Sequence, residues 1–149
     1  KKVERLKGVS LAVRAGEILG IAGVAGNGQS ELLEVLGGYM KATGSVRVKG
    51  VPQDLSRDDL GQARRDAGIG HVPEDRQSEG LVLDFAAWEN VALGYHDRRP
   101  YSGSLLMDLD AMRRDAAAKM ARFDVRPADC HLAAKSFSGG NQQKIVVAR

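Results

Sequence analysis

The sequence predicts an α/β fold with a small antiparallel β portion and a separate helical portion. Up to about residue 72, short β-like runs alternate with helical stretches. A glycine-rich segment at residues 23–30 joins a predicted strand to a predicted helix. From residue 73 onward, apolar residues recur mainly at helical spacing. Strands alternating with helices, followed by a helical stretch, indicate an α/β core with a helical subdomain.

The predicted strands all fall in the first half of the chain. Residues 9–13 and 17–22 favour two strands, separated by a turn at Ala15 and Gly16. Residues 45–48 alternate apolar and polar side chains, which predicts an exposed antiparallel strand. Residues 69–72 predict a short strand that ends at Pro73.

Helical periodicity and capping residues predict five helices. Ser56 and Asp84 are candidate N-caps, and so is Ser138 before the last segment. Met112, Ala116, Met120 and Phe123 form one stripe, which indicates core packing. The predicted helices cover residues 30–36, 56–66, 84–93, 110–123 and 138–149.

Composition narrows the class of protein. The chain has 149 residues, 43% hydrophobic and 28% charged, which suits one ordered globular domain. Its +3 charge is spread out and only 5% of residues are aromatic, so nucleic acid is not expected as the main partner. Cys130 is the only cysteine, which excludes an internal disulfide and a zinc cluster. No apolar run is long enough to span a bilayer, so we expect a soluble chain that meets a membrane through a partner.

The first chemical motif is Gly23-Val24-Ala25-Gly26-Asn27-Gly28-Gln29-Ser30. Its spacing matches the P-loop pattern, in which glycine N–H groups and a helix N-terminus surround phosphate oxygens. Ser30 is placed to hold a phosphate-bound Mg²⁺ through its hydroxyl. Gln29 stands where the pattern has lysine, so we expect phosphate binding with poor catalysis. A glycine-rich turn without a ligand stays possible, whereas Glu31 opposes a dinucleotide site.

The second motif is Ser136-Phe137-Ser138-Gly139-Gly140-Asn141-Gln142-Gln143-Lys144. A serine N-cap and two glycines at a helix start can bind an anion, but they also suit an ordinary capped helix. The local chemistry leaves both interpretations open.

This second motif resembles the signature motif of ABC transporter ATPases, in the variant typical of sugar and nucleoside importers. Phe137 and Asn141 replace the usual Leu and Gln. The 110 residues from Gly28 to Ser138 agree with that family's P-loop-to-signature distance. His71-Val72-Pro73-Glu74-Asp75-Arg76, with Glu79-Gly80-Leu81, resembles its Q-loop segment, with Glu74 at the Q-loop position. Gly16-Glu17-Ile18 matches as well.

The resemblance implies a truncated P-loop NTPase of ABC type. Its core would be residues 1–72, its helical subdomain residues 73–137, and its signature helix residues 138–149. The loss of lysine at Gln29 resembles the second ATPase domain of subunits in which two such domains are fused. The family's Walker B aspartate, catalytic glutamate and switch histidine follow the signature, so no catalytic residue and no hydrolysis are expected within this segment alone.

The resemblance also implies the cofactors and partners. Residues 23–30 would bind ATP and Mg²⁺. The residues Ser138, Gly139, Gly140, Asn141 and Gln142 of this chain would contact a second ATP, held by the P-loop of the partner ATPase domain. The partners would be permease subunits, the other ATPase domain and, indirectly, a periplasmic or lipoprotein substrate-binding protein. The location would be the cytoplasmic face of a bacterial inner membrane. Residues 80–85, 124–126 and Phe137 favour the nucleoside branch over ribose-type importers.

Other interpretations are a regulatory nucleotide-binding module and an unrelated P-loop protein such as a small GTPase or kinase. The signature argues against the second of these. Residues 81–84 look like a Walker B strand, but in the family that strand follows the signature, so Asp84 is interpreted as a helix cap. His71, His96 and His131 have no catalytic partner at a recognisable spacing.

Overall fold

The computed structural model describes residues 5–103 and 106–149. The chain divides into two compact units, Lys1–His71 and Val72–Arg149. The first contains both β-strands of the described residues, and the second contains helices, turns and two isolated β-bridges. The predicted boundary at residues 72 and 73 lies one residue beyond this division.

The first unit has two helices and one β-hairpin. Helix α1 spans Gln29–Gly37 and helix α2 spans Gly61–Asp66. Strand β1, Val46–Val48, pairs antiparallel with strand β2, Val51–Gln53. The hairpin turn is tight because Lys49 and Gly50 both have positive φ, as a two-residue turn of this hand requires. The predicted strand at residues 45–48 is confirmed.

Other predicted strands are absent from the described part of the chain. Residues 9–13, 17–22 and 69–72 form no strand pairs, although the turn before Glu17 is present with a 3.0 Å bond from its N–H to Arg14 O. Val9, Leu11 and Ile21 are 43–50% exposed and Ile18 is 97% exposed. A β-branched, apolar run becomes a strand only when another strand satisfies its backbone groups. Composition alone therefore overestimated the β content.

Arg64 links the elements of the first unit. Arg64 is only 2% exposed. Its guanidinium donates to Leu36 O at 3.2 Å, Asp54 O at 2.5 Å and Gln53 Oε1 at 3.2 Å. These acceptors lie on α1, after β2 and on β2, so one guanidinium joins three segments. The predicted cap at Ser56 is wrong, because α2 begins later, after Leu60.

The second unit is built around three helices. Helix α3 spans Ala87–Ala92, helix α4 spans Leu109–Arg122 and helix α5 spans Gly139–Ala148. A π-helical turn covers Arg76–Gly80 and a 3₁₀ turn covers Ala134–Ser136. The fully buried side chains at its centre include Val91, Met120, Val125 and Ile145. The predicted α4 stripe does pack inward, with Met112, Ala116 and Met120 buried and Phe123 partly buried.

Helix starts in this unit differ from the predicted ones by a few residues. Asp108, not Asp110, caps α4 by accepting from Ala111 N–H at 2.8 Å. Asp84 does not cap α3, since its carboxylate pairs with Lys135 Nζ at 2.7 Å. Instead, Glu89 accepts from the N–H of Ala86 at 2.7 Å. Two acidic residues lie near the start of each of these helices, and only the backbone path decides which one reaches a free N–H group.

Helix α5 belongs to the second unit by its contacts. It packs against α3, α4 and the π-turn. Residues 138–149 lie in the same compact unit as residues 73–137. No helix of the described residues has the length and apolarity needed to cross a membrane.

Candidate nucleotide-binding segments

The first motif forms a loop that leads into α1, with residues 23–27 exposed and Gly28 buried. Gly26 and Gly28 have φ values of 88° and 102°, in the left-handed region that glycine adopts without strain. Gly28 is the N-cap of α1. The N–H groups of Gly26 and Gln29 donate to no backbone carbonyl in the described part of the chain. A glycine loop that leaves N–H groups at a helix N-terminus fits a phosphate group.

Gln29 turns back onto this loop. Its Nε2 donates to Val24 O at 3.3 Å. A Cβ atom placed on Gly23 would lie 2.0 Å from the same nitrogen, so the amide rests directly against Gly23. The side chain at the lysine position is therefore neutral and already bonded to its own loop.

Ser30 and Glu31 open the first turn of α1. Ser30 is exposed, as a hydroxyl that holds a phosphate-bound Mg²⁺ needs to be. Glu31 is buried and accepts from Arg5 Nη1 at 2.5 Å. This hydrogen bond from Arg5 is the main reason why the pKa of Glu31 is lowered. Arg5 therefore offsets the negative charge beside the loop.

The second motif lies at the start of α5. Ser138 is exposed and is the N-cap, but its side chain makes no capping bond to the helix backbone. Its Oγ instead accepts from Asn141 Nδ2 at 3.0 Å. A Cβ atom on exposed Gly140 would meet nothing within 4 Å. The first turn of α5 is thus open to an anion at Gly140.

Asn141 connects this helix start to the end of the α4 region. Its Oδ1 accepts from the backbone N–H of Arg126 at 2.9 Å while its amide nitrogen donates to Ser138. Both ends of the amide are therefore used to fix the orientation of the Ser138 hydroxyl. Lys144, one turn further on, donates to Asp124 O at 2.6 Å.

Gln142 points into the unit rather than toward solvent. The residue is 3% exposed, its Nε2 donates to Ala134 O at 3.1 Å, and its Oε1 accepts from Gln77 Nε2 at 3.0 Å. The predicted binding residues around Ser138 therefore differ in their surroundings. Ser138 and Gly140 are exposed, whereas the Gln142 side chain is occupied by internal hydrogen bonds.

Glu74 is exposed and lies in the turn before the π-helical segment. Asp75 follows it and accepts from the N–H groups of Gln77 and Ser78 at 2.9 and 3.3 Å. These bonds, led by the one from Gln77, lower the pKa of Asp75. The turn after the Q-loop position is therefore a defined structure rather than an open loop.

The remaining candidates are not assembled into a site. His71 contacts the Tyr39 ring, with centroids 5.1 Å apart, while His96 and His131 are exposed. Within residues 5–103 and 106–149, no group of three His, Cys, Asp or Glu side chains could hold a metal ion. A Mg²⁺ ion would need phosphate oxygens as ligands in addition to Ser30.

Sequence reasoning missed Arg76 and Gln77. The Arg76 guanidinium lies against Gly139, since a Cβ atom there would be 2.6 Å from Arg76 Nη2. Two glycines in the signature were the only available signal, because they show that another group approaches the backbone closely. Nothing in the sequence indicated which side chain that would be.

A loop with P-loop spacing at one helix start and a second glycine-rich helix start fit one class, the ATP-binding cassette proteins. The ABC transporter family model matches residues 6–149, and the chain belongs to this family. It is 41% identical over 149 residues to the guanosine import ATP-binding protein NupO of Bacillus subtilis (strain 168). It is also 42% identical over 142 residues to the ribose import ATP-binding protein RbsA of Halalkalibacterium halodurans.

These matches cover nearly all of this chain and a small part of each relative. The alignments take in 99% and 95% of the chain, which spans 28% of the length of either protein. Among solved structures, the ATP-binding cassette MJ0796, as a dimer bound to ADP and Pi, matches with a TM-score of 0.77 and 28% identity. That match covers 97% of this chain and 60% of the other chain, which confirms the predicted fold class.

Proposed function

We propose that this chain is an ATP-binding segment of an ABC importer for nucleosides, in which the signature serves the working ATP site. Its own P-loop completes a degenerate site that binds nucleotide and hydrolyses it poorly. The observation that carries the proposal is the contrast between the two motifs. Gln29 is neutral and bonded to Val24, whereas the signature keeps Ser138 and Gly140 exposed at a helix start.

At the degenerate site, the residues of the P-loop act by binding and orienting. Backbone N–H groups of residues 23–28 would surround the phosphates of ATP, and Ser30 would hold Mg²⁺, which neutralises phosphate charge. Gln29 can donate one neutral hydrogen bond where lysine supplies a charge-assisted one, a difference of about 1–2 kcal/mol. Because phosphoryl transfer depends on positioning and charge neutralisation, the substitution lowers the rate more than it weakens binding.

At the working site, this chain would contribute groups to ATP held by the P-loop of another ATPase domain. Ser138 Oγ and the N–H groups of Gly139 and Gly140 would contact the γ-phosphate. Asn141 holds the serine hydroxyl in place by its 3.0 Å bond. The positive end of the α5 dipole adds attraction for the anion.

The second unit would carry the link to transport. In this proposal Glu74, at the Q-loop position, lies beside the membrane-spanning permease subunits at the cytoplasmic face of the membrane. A second ATPase domain in the same protein and a substrate-binding protein would complete the importer. The support is the family assignment and the similarity to relatives that are import ATP-binding proteins.

The choice of nucleosides rests on the relatives. NupO of Bacillus subtilis and the nucleoside import ATP-binding protein NupA of Lactococcus lactis, 42% identical, match over 99% and 97% of this chain. Ribose import proteins match at 36–43% identity, so ribose is the second candidate. Uptake of a labelled nucleoside, measured with unlabelled guanosine or ribose as competitor, distinguishes the two candidates. A nucleoside importer takes up the label and is inhibited by guanosine, whereas a ribose importer shows no nucleoside uptake.

The experiment that tests the proposal measures ATP turnover by the full importer with single substitutions. Ser138→Arg places a long cation at the exposed helix start and should abolish turnover. Gln29→Ala removes the neutral amide and should change turnover little. If both variants retain activity, this chain is a scaffold or a regulatory module and the working-site assignment is wrong.

A further inference from the structure

The π-helical turn Arg76–Gly80 contacts α5 at three positions along its length, by packing and by hydrogen bonds. Gly80 lies so close to α5 that a Cβ atom there would be 3.1 Å from Val146 Cγ2. Arg149, at the end of α5, donates to Gly80 O at 2.9 Å. The C-terminal end of the turn is therefore in direct contact with the C-terminal part of α5.

Gln77 makes the second connection, nearer to the signature. Its Nε2 donates to Oε1 of buried Gln142 at 3.0 Å, across 65 residues of sequence. Gln142 also donates from its Nε2 to Ala134 O, in the 3₁₀ turn before the signature. A buried amide with both ends bonded has a fixed orientation, so it fixes the rotation of the helix that carries it.

Arg76 makes the third connection, at the first residue of α5. Its guanidinium lies on Gly139, where even a methyl group would be 2.6 Å from Nη2. Arg76 Nε is buried and has no hydrogen-bond partner among the residues that the structure describes. An unpaired buried donor is destabilising, so this arrangement is not explained by stability alone.

We propose that Arg76 and Gln77 are positioning residues for the signature, which hold the backbone of Gly139 and the rotation of α5 in the geometry that contacts ATP. The inference rests on the proposed function of the signature and adds two residues outside it. Neither residue contacts nucleotide in this account. They act through Gly139 and Gln142, and they connect the signature to the segment that begins at Glu74.

A double-mutant cycle in the full importer tests this. Gln77→Leu and Gln142→Leu are made singly and together, with Arg114→Leu, at an exposed position on α4 outside both motifs, as the control for a new leucine. Because loss of orientation at a reacting centre is costly, each single variant should lower kcat about tenfold with KM for ATP changed less than about twofold. The double variant should lose no more than Gln142→Leu alone, since that single variant has already removed the only bond that Gln77→Leu breaks here.

Two further variants separate positioning from a structural role. Gln77→Lys keeps a donor for Gln142 Oε1 and should retain most of the turnover that Gln77→Leu loses. Arg76→Met keeps the apolar stem, removes the guanidinium and should lower kcat, whereas Arg114→Met on exposed α4 surface should not. The thermal midpoint Tm is measured for every variant.

The outcomes separate this inference from the proposed function. Lowered kcat with an unchanged Tm and rescue by Gln77→Lys supports positioning. Unchanged kcat for Gln77→Leu and Arg76→Met, or losses of kcat that only follow losses of Tm, overturns it. If Ser138→Arg abolishes turnover in parallel, the working-site assignment survives that failure. If Ser138→Arg has no effect, the proposed function itself is wrong.

Discussion

Asn90 offers a stability prediction whose size can be worked from the structure. The residue is 0% exposed and lies on α3. Its Oδ1 accepts from Val82 N–H at 2.8 Å. Its Nδ2 donates to Val82 O at 3.0 Å, Ala86 O at 3.1 Å and Phe85 O at 3.3 Å. One side chain thus closes the loop between the π-turn and α3.

The expected cost of Asn90→Ala is the sum of lost bonds and an unpaired donor. Two well-formed bonds at about 1 kcal/mol each, plus about 1–2 kcal/mol for the unpaired Val82 N–H, give about 3–4 kcal/mol. Asn90→Asp keeps the acceptor for Val82 N–H but loses the donors, so it separates the two contributions. It should destabilise the protein while leaving Val82 N–H bonded.

The assays are urea unfolding and hydrogen exchange at the Val82 amide. Each loss of about 1.4 kcal/mol raises the exchange rate about tenfold, so a loss of about 3–4 kcal/mol exceeds the roughly 2.8 kcal/mol of a hundredfold change. Exchange at Val82 should therefore rise at least about a hundredfold in Asn90→Ala. It should rise far less in Asn90→Asp. A loss below about 1 kcal/mol in Asn90→Ala, or a Val82 amide that stays protected, would refute the reasoning.

Three further predictions concern single side chains. Gln29→Lys should tighten ATP binding at this P-loop about tenfold or more, by adding a charge-assisted bond, and an unchanged Kd for a fluorescent ATP analogue contradicts this. Burial raises the pKa of Cys130, so native protein should react with a thiol reagent at least about tenfold more slowly than urea-unfolded protein; equal rates contradict this. The hydrogen bond from Gln77 N–H is the main reason why the pKa of Asp75 is lowered. The ionised Asp75 therefore stabilises the fold fully at a pH above the ordinary aspartate pKa of about 3.9. This contribution is lost as the pH falls through the lower pKa of the folded state. Asp75→Asn should therefore flatten the acid limb of stability against pH, and an identical limb rejects the assignment.

The parts of the structure that sequence could predict are those decided locally. The start of α1 after Gly28, the stripe on α4 and the helix start at Ser138 each follow from the spacing and the types of residues within a few positions. The alternation at residues 45–48 likewise needs only a neighbouring strand that the same hairpin supplies. These predictions hold because the information lies within one or two turns of the chain.

The parts that sequence could not predict depend on distant residues. Residues 17–22 have strand composition, but no described strand pairs with them. Asp84 has a helix-capping context, yet Lys135, 51 residues away, takes its carboxylate. The inward rotation of Gln142 is set by Gln77, 65 residues earlier. Pairing at such separations leaves no periodic trace in a single sequence.

The central claim is that the signature, and not the P-loop, of this chain meets the hydrolysed phosphate. It is tested most directly by trapping ADP and vanadate in the full importer, where vanadate takes the place of the γ-phosphate, and cleaving the contacting backbone with ultraviolet light. Mass spectrometry of the fragments then locates the cut. The account predicts cleavage of this chain at Ser138 with none in residues 23–30. Cleavage within residues 23–30 and an intact Ser138 would contradict it.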